Sequence, residues 1–416
     1  MPEQTVSGVL ETMEDRHARI QTAVALQEPD RVPFFPNFNN YYPLMHGVTC
    51  EACMKDPSTL TDAVRKTALE LEPDLMVMPA TYPIQALESA GFNAGRWPGE
   101  YWGISENAPY QYVDRQYLDD DHYDEFIADP TRYILTKLLP QKYKNYGGLA
   151  LLTPYNLCHH VIYSQACWGL PPVKETLLAM IETGEHCLAN LEANMKLNAM
   201  VEDMGFIPFG HCAAMCPFDE FADHVRGLLE TCMDCIEEPE RLHAALDIWS
   251  DTINAEAMAS AIRSGSKYLF IPLHCGTDVF MSVDNFAEFY WPGLKDLIMR
   301  AIGAGMTPTV FCEGKFDSHL EQLRDVPEGK VIYVFEDVDF ANAKKVLGDV
   351  ACIGGGMPTD YLMHGTPERV VEATKRILDV MAPGGGFIFS NSSAMDQVKP
   401  ENLMAWKETV FEHGRY

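Results

Sequence analysis

The sequence lacks an apolar run of the length that crosses a membrane, which is about 18 residues or more. Its first twenty residues carry charges of both signs and no apolar core, so they do not resemble a signal peptide. Positive charge is scarce, with 31 Lys and Arg against 60 Asp and Glu. The net charge of −29 argues against a nucleic-acid partner, because phosphates would be repelled. We therefore predict a cytoplasmic protein with neither a nucleic-acid nor a membrane partner.

Internal repeats, low-complexity tracts and Ser/Gly linkers are also absent, so residues 1–416 are predicted to form a single domain. No Walker loop and no GxSxG motif is present. The twelve cysteines, without an export signal, indicate a reducing compartment in which thiols stay free. Two CxxC pairs, at 50/53 and 232/235, lie too far apart for a zinc ribbon, and we interpret them as structural.

What the chain does contain is an alternation of short apolar runs and amphipathic helices. Eight such runs are predicted strands: 31–38, 74–80, 206–210, 268–274, 307–312, 331–336, 350–355 and 387–390. Buried parallel strands have this near-continuous apolar character, and eight is the count of a (β/α)8 TIM barrel. A doubly wound open sheet is the rival fold. We prefer the barrel because no GxGxxG follows the first strand.

Two segments fall outside the repeating pattern. Residues 1–27 precede the first strand and are predicted to contain a helix. Residues 82–170 are rich in aromatics, Asp and Pro, and we interpret them as an insertion of helices and loops after the second strand. Their aromatic side chains have no regular place in a βα repeat. We therefore expect the insertion to cover the end of the barrel that carries the site.

The carboxyl ends of the predicted strands hold a concentration of chemically useful residues. In TIM barrels the active site lies at this end. The groups found there are His274, Cys312 with Glu313, Glu336 with Asp337, three glycines at 354–356, and Ser390 with Asn391. The glycines mark either a phosphate-binding turn or an ordinary tight turn. Glu313, Glu336 and Asp337 are the predicted catalytic carboxylates.

A catalytic zinc site takes three protein ligands and keeps one position open. His274 and Cys312 end adjacent predicted strands, and Glu313 or Glu336 could complete the set, with Glu202 as a further candidate. Singly, each has a structural explanation: a buried thiol, a hydrogen-bonded histidine, a salt-bridge partner. Together, at strand ends, they favour a metal site.

The first strand and the residues after it are rich in aromatics. Phe35, Phe38, Tyr41 and Tyr42 could line an apolar substrate pocket, and Asn391 at the last strand could bind substrate beside them. Ordinary core packing is the alternative for these aromatic side chains.

Several longer stretches resemble the uroporphyrinogen decarboxylase superfamily, from about residue 28 to the C-terminus. The most distinctive are "EPDRVPFFP", "PFDEFADHVRGLLE", "LHCGTDVFMS", "HGTPERVVEATKRIL" and the long run that begins "FCEGKFDSHLEQLRDVPEGKVIYVFED". The resemblance implies a (β/α)8 barrel, in agreement with the strand count. It also implies one of two chemistries.

One chemistry is metal-free decarboxylation of a porphyrinogen, which in the family uses two N-terminal arginines; here only Arg31 lies in that region. The other is zinc-dependent methyl transfer in partnership with corrinoid proteins. The coenzyme M type uses His-x-Cys and a later Cys, of which this sequence keeps only Cys312. The O-demethylase type uses carboxylate and histidine ligands, which suits His274, Glu313 and Glu336 better.

The resemblance therefore implies a zinc-dependent methyltransferase of the O-demethylase type. It would move a methyl group from a small methylated compound, such as an aryl methyl ether, to the cob(I)alamin of a separate corrinoid protein. A metal-free decarboxylase is the alternative. A homodimer is left open.

Overall fold

A ring of parallel β-segments forms the centre of the computed structural model, which describes residues 11–416. Five long strands make one parallel sheet in chain order: β5 (Tyr268–Leu273), β6 (Thr307–Lys315), β7 (Ile332–Asp337), β8 (Cys352–Met357) and β9 (Phe387–Asn391). Two short strands, β1 (Met76–Val77) and β4 (Pro208–Phe209), pair in parallel beside it. A further pair, β2 (Gly95–Arg96) and β3 (Gln111–Tyr112), is antiparallel and lies outside the ring.

Backbone hydrogen bonds join these sheets and close the ring. They run from Phe35 N to Phe389 O (2.9 Å), from Asp74 N to Phe34 O (2.8 Å) and from Ala214 N to Phe270 O (3.0 Å). The segment around residues 33–35 thus lies between β9 and the start of β1, and the chain after β4 pairs with β5. That segment, β1, β4 and β5 to β9 make eight parallel segments, so the chain has the predicted TIM-barrel architecture.

Helices surround the ring and fill the connections. Their bounds are α1 (Met13–Val24), α2 (Tyr41–His46), α3 (Cys50–Lys55), α4 (Thr61–Leu71), α5 (Ile84–Ala90), α6 (Tyr123–Ala128), α7 (Pro130–Tyr133), α8 (Leu139–Lys142), α9 (Pro154–Cys158), α10 (Pro171–Asp203), α11 (Pro217–Phe221), α12 (Leu228–Glu237), α13 (Pro239–Trp249), α14 (Ala255–Ser264), α15 (Val283–Asn285), α16 (Trp291–Gly303), α17 (Leu320–Leu323), α18 (Phe340–Leu347), α19 (Thr359–His364), α20 (Pro367–Met381) and α21 (Pro400–His413). Among the described residues, none of these helices has the length and apolar character needed to cross a membrane.

The interior of the ring is packed by aromatic side chains. Phe35, Phe209, Phe270 and Phe311 meet edge-on, with ring centroids 5.1–5.9 Å apart in the pairs 35/209, 35/311, 209/270 and 270/311. Offset and edge-on contacts of this kind are the favoured geometry of aromatic pairs. The interior is therefore a packed core with no open channel through these four rings.

Helix α1 closes the amino-terminal end of the ring. Its Ile20 and Val24 pack into the interior core cluster, and its arginines reach a buried carboxylate at the start of β1. Asp74, which has no exposed surface, accepts hydrogen bonds from Arg19 Nη1 (2.6 Å) and Arg31 Nη1 (2.7 Å). Arg31 therefore belongs to a structural hydrogen-bond network at the amino-terminal end of the barrel, away from the carboxyl ends of the strands.

The structure can be compared with the two segments that fall outside the βα pattern, residues 1–27 and residues 82–170. The helix predicted within residues 1–27 is α1, and residues 1–10 lie outside the described residues. The insertion at 82–170 contains helices and loops as expected, together with the β2–β3 pair. Strands of only two residues, such as Gly95–Arg96 and Gln111–Tyr112, give no periodic signal, which is why that pair was not predicted.

The glycines at 354–356 lie inside β8 and do not form a turn. Gly355 and Gly356 have φ values of 118° and 109°, in the region that L side chains rarely adopt. A Cβ atom added at Gly355 would lie 2.6 Å from Phe335 O and 2.9 Å from the Phe340 ring. We expect Gly355→Ala to lower the free energy of unfolding by about 1–3 kcal/mol, because the strain and the clash must be absorbed by neighbours. Urea denaturation followed by circular dichroism measures it.

Gly303→Ala is the matched control. Gly303 ends α16, has no left-handed φ, and a Cβ there meets no atom within 4 Å. That substitution should be neutral or slightly stabilising, since alanine restricts the unfolded chain. Equal stability of both variants would contradict the assigned backbone conformation of β8.

Candidate active site at the carboxyl ends of the strands

His274 follows β5 at the carboxyl end of the barrel and is held by two aspartates. Its Nδ1 lies 2.7 Å from Asp223 Oδ2, and its backbone N–H donates to Asp219 Oδ2 at 3.1 Å. Its other ring nitrogen, Nε2, lies 3.8 Å from Oε1 of Glu313 on β6. The imidazole is thus fixed in orientation on one side and faces a carboxylate on the other.

The charges around His274 keep its imidazole protonated. Partial burial by itself would lower the pKa of His274. The hydrogen bond to Asp223 and the charges of Asp219 and Glu313 outweigh burial and raise that pKa to about 9. Burial raises the pKa of Glu313, and the nearby His274 charge offsets this only in part. At neutral pH the pair is an imidazolium beside a carboxylate that accepts a proton readily.

Asp219 and Asp223 hold His274 and the loop around it in place, and the sequence did not single them out. Asp219, on α11, is fully buried and accepts hydrogen bonds from the Cys275 N–H (2.8 Å) and the Tyr290 hydroxyl (2.6 Å). Burial raises the pKa of Asp219. These contacts lock the loop after β5 to α11. The only sequence signal was their place in the family-like stretch "PFDEFADHV".

Two adjoining cavities open at this end of the barrel, and we call their shared space the barrel mouth. Their volumes are about 410 Å³ and 320 Å³. Five residues line both: Asn37, Asn39, Phe311, Glu313 and Ala394. Glu336 lines the smaller cavity, and its Oε2 accepts the Gly314 N–H at 2.6 Å. Glu313 is therefore the carboxylate that links His274 to the space where a substrate fits.

The insertion contributes to the barrel mouth. Tyr110 lines the smaller cavity opposite Glu336, and its ring lies 4.9 Å from that of Tyr82. Burial, followed by the neighbouring Tyr110 and Glu313, raises the pKa of Tyr82. The Tyr112 hydroxyl donates to Asp223 O at 2.9 Å. The segment that breaks the βα repeat thus lies over the strand ends.

The structure separates Cys312 from the other predicted metal ligands. Its side chain is 1% exposed and belongs to the core cluster between strands and helices, with Tyr333 and Phe335. Successive side chains of a strand point to opposite faces, so Glu313 faces the mouth while the Cys312 side chain packs toward the helices, although Cys312 also borders the smaller mouth cavity. Burial raises the pKa of this thiol well above its ordinary value. The prediction that Cys312 joins His274 in a ligand set disagrees with this placement.

The remaining predicted ligands do not come together in the described residues as a zinc site requires. Within residues 11–416, no group of three or more His, Cys, Asp and Glu side chains is arranged to hold a metal ion. Glu336 bonds a backbone amide, and His274 Nδ1 is engaged by Asp223. The donor set as it stands does not fit zinc. Zinc therefore stays a prediction from the sequence.

Of the predicted substrate-binding residues, Phe38 lines the larger cavity. Phe35 is fully buried in the aromatic interior of the ring, and Tyr41 and Tyr42, the first two residues of α2, are buried in the core. Asn391 is 1% exposed, and its amide bonds the backbone of Asn37. These four hold the first and last segments in place, because their side chains are already enclosed by protein. Asp337 is exposed at the end of β7.

Glu202, the further ligand candidate, lies near His211 at a cavity away from His274. Both line a cavity of about 180 Å³ together with His17 and Lys267. Burial lowers the pKa of His211, although the Glu202 charge opposes this shift. His211 also lines the larger mouth cavity, so it lies between the two ends. Glu202 belongs to α10 and cannot reach His274.

Comparison with known proteins adds the family context. The model of the uroporphyrinogen decarboxylase (URO-D) family matches residues 211–413. The superfamily resemblance is confirmed. The uroporphyrinogen decarboxylase of Pseudoalteromonas translucida is 25% identical over 179 residues, which are 42% of this chain and 49% of that protein. That of Chlorobaculum tepidum is 26% identical over 189 residues, 42% of this chain and 50% of that protein. The chain thus spans about half the length of the curated relatives it matches.

A solved structure extends the comparison to the whole fold. It is a methyltransferase from Methanosarcina mazei, which matches with a TM-score of 0.62 at 15% sequence identity. The match covers 97% of this chain and 99% of that one. At this identity the likeness concerns the fold, and it agrees with the TIM barrel of the uroporphyrinogen decarboxylase type predicted from the sequence.

Proposed function

We propose that this chain is a methyltransferase that moves a methyl group from a small methylated compound, such as an aryl methyl ether, to the cob(I)alamin of a separate corrinoid protein. The observation that carries the proposal is the charged pair of His274 and Glu313 beside an aromatic and carboxylate-lined cavity. The structural neighbour from M. mazei, itself a methyltransferase, supports methyl transfer as a reaction of this barrel shape.

The pair solves the main chemical problem of demethylation, which is that an ether oxygen is a poor leaving group. As the carbon–oxygen bond breaks, its electron pair stays on oxygen and must be neutralised. Glu313 reaches the cavity, and His274 holds a proton on the side that faces Glu313. We infer that a proton passes from His274 Nε2 through the Glu313 carboxylate to the leaving oxygen. General acid catalysis of this kind contributes about 10²–10⁴-fold.

Decarboxylation without a metal is the second candidate, because the matched relatives are decarboxylases. The charge of the barrel mouth disfavours it. Among the described residues that line the two mouth cavities there is no Lys or Arg. A porphyrinogen with many carboxylates would meet Glu313 and Glu336 instead of cations, and Arg31 is bound to Asp74 at the far end.

The two candidates are separated by one pair of assays. Purified protein is mixed anaerobically with chemically reduced cob(I)alamin and an aryl methyl ether, and methylcobalamin formation is followed by absorbance. The same protein is given uroporphyrinogen, and decarboxylated products are analysed by chromatography. Methylcobalamin formation without porphyrinogen turnover supports the proposal. Porphyrinogen turnover without methyl transfer refutes it and establishes the alternative.

Asp223 is a positioning residue in this proposal, and its removal has a specific signature. In Asp223→Asn the hydrogen bond that raises the pKa of His274 loses its charge, so that pKa should fall from about 9 toward its ordinary value. The His274 imidazolium then loses its proton, and so ceases to act as an acid, at a lower pH than in the wild type. We expect the alkaline limb of the pH–kcat profile to move down by at least one pH unit.

Asp247→Asn, at an exposed position of α13, is the matched control and should keep the wild-type profile. A profile for Asp223→Asn that falls in amplitude without moving along the pH axis would show that Asp223 acts only on the fold.

A further inference from the structure

The smaller mouth cavity contains a carboxylate that has no ion-pair partner. Glu336, near the end of β7, is half-buried, and its Oε2 accepts the Gly314 N–H at 2.6 Å. Lys315, which ends the neighbouring strand β6, pairs with Asp317 at 3.5 Å instead. No Lys, Arg or His side chain of residues 11–416 forms a salt bridge with Glu336. A partly buried charge without a counter-charge is unfavourable, so a cationic ligand would stabilise it.

His274, the cation beside the mouth, does not balance this charge. Its imidazolium already lies between the carboxylates of Asp223 (2.7 Å) and Glu313 (3.8 Å). Burial, opposed by His274 and reinforced by the charge of Glu336, raises the pKa of Glu313, so the two glutamates act on each other. The mouth therefore carries more negative than positive charge before a substrate binds.

Two asparagine side chains of the same cavity have unused hydrogen-bonding groups. Asn37 and Asn39 line the cavity, and within residues 11–416 their hydrogen bonds come from the backbone. The Asn37 N–H donates to Asn391 Oδ1 at 2.7 Å, and the Asn39 N–H donates to Met395 O at 2.9 Å. An ammonium group has three donors and no acceptor, so one carboxylate and two amide oxygens satisfy it.

A buried hydroxyl without a partner lies at the level of Glu336. Ser390 has no exposed surface, and its Oγ has no hydrogen-bond partner among the described residues. Ile388, two positions earlier on β9, belongs to the interior core cluster, so alternation along the strand places Ser390 on the inward face. The register of β7, β8 and β9 brings it level with Glu336. Buried polar groups are normally bonded, and this one indicates a polar ligand at the mouth.

The apolar lining of the smaller cavity also suits a cation. Tyr110 from the insertion and Phe311 from β6 contribute aromatic rings. The face of such a ring attracts a cation within about 6 Å. Glu313 and Glu336 lie on adjacent strands, which are about 4.8 Å apart, so one small molecule can reach both carboxylates.

We propose that the methyl donor of this site carries an ammonium group, which binds Glu336 while the methyl ether oxygen lies at Glu313. The role of Glu313 rests on the proposed methyl transfer, whereas binding of the cation to Glu336 does not. Glu336 determines specificity and takes no part in bond breaking. The carbon–oxygen electron pair stays on oxygen and is protonated through Glu313, and the ammonium keeps all of its protons.

The test compares three ligands that share one ring and one methyl ether. They are meta-methoxybenzylamine, which is an ammonium at neutral pH, the neutral meta-methoxybenzyl alcohol and the anionic meta-methoxybenzoate. Their binding to the full-length protein is measured by isothermal titration calorimetry at physiological ionic strength. We expect the ammonium to bind about 10–100-fold more tightly than the alcohol, because hydrogen bonds between charged groups are the stronger ones. The benzoate should bind most weakly.

Glu336→Gln removes the charge but keeps the side-chain volume and an oxygen that can accept the Gly314 N–H. This variant should lose most of the preference for the ammonium and keep its affinity for the alcohol, which also shows that it is folded. Glu412→Gln is the matched control, because it removes the same charge at an exposed position of α21 and should keep the preference. Equal affinity of the wild type for ammonium and alcohol overturns the proposal, as does a preference that persists in Glu336→Gln.

Methyl transfer from the same three compounds to cob(I)alamin separates this proposal from the proposed function. Methylcobalamin formed from the alcohol and the amine with equal KM would refute the ammonium subsite and leave the methyltransferase intact. Tight binding of the amine that depends on Glu336, without methylcobalamin from any of the three, would refute the methyltransferase and leave the ammonium subsite intact.

Discussion

Replacing His274 with glutamine is expected to lower kcat for methyl transfer by about 10²–10⁴-fold. Glutamine keeps most of the volume and a hydrogen-bonding group, but it cannot hold the proton that the leaving oxygen needs. The alkaline limb of the pH–rate profile, set in wild type by the pKa of about 9, should disappear in the variant. Initial rates of methylcobalamin formation at saturating donor, measured across pH, test both statements.

His243→Gln provides the control for this substitution. His243 is an exposed residue of α13, 3.3 Å from Glu288 and remote from β5, so its loss should leave kcat unchanged. A His274→Gln enzyme with a rate within tenfold of wild type, and with the alkaline limb intact, would remove His274 from the mechanism. Glu313 would then need another proton source.

Asp74→Asn is expected to produce the largest loss of stability, about 3–5 kcal/mol of the free energy of unfolding. The Asp74 carboxylate is fully buried and bonded to Arg19, Arg31 and the Phe34 N–H (2.7 Å), and the Arg16 guanidinium lies 3.9 Å away. Asparagine removes the only fully buried carboxylate of this group. The buried guanidinium groups would then keep only Glu11 and Asp30, which lie at the partly exposed edge of the group, and this loss costs more than a single hydrogen bond. Urea-denaturation midpoints measure the change.

A surface pair gives the comparison for this prediction. Asp325 and Lys295 lie 2.6 Å apart, but both are more than a third exposed. Asp325→Asn should cost less than about 1 kcal/mol, since water screens such pairs. Similar midpoints for the two variants would mean that the closure of the barrel by α1 does not depend on Asp74.

Much of the barrel could be predicted because the sequences of buried parallel strands are nearly continuous apolar runs. The predicted run 268–274 corresponds to β5 at Tyr268–Leu273, and 387–390 corresponds to β9 at Phe387–Asn391. The first segments were less well defined. The run 74–80 contains only Met76–Val77 as strand, and 31–38 joins the ring through single bridges. Irregular pairing of this kind depends on neighbouring strands, which a local pattern does not contain.

The positions of the candidate residues along the strands were predictable, and the orientations of their side chains were not. Sequence placed His274, Cys312, Glu313 and Glu336 at strand ends, where the structure has them. It could not tell which of two adjacent residues faces the mouth. Both faces of a barrel strand are apolar, inward to the ring and outward to the helices, so the alternation that marks faces elsewhere is missing. Cys312 and Glu313 were therefore assigned to one site, and the structure puts them on opposite sides.

By itself, the sequence determined the class of fold, the end of the barrel at which the candidate residues lie and the acidic character of the chain, because these follow from local apolar runs and composition. Only the tertiary structure decided that Asp223, 51 positions before His274, holds the imidazole. Contacts between distant segments are fixed when the ring closes and the helices pack around it. Sequence periodicity does not predict which carboxylate will contact which histidine.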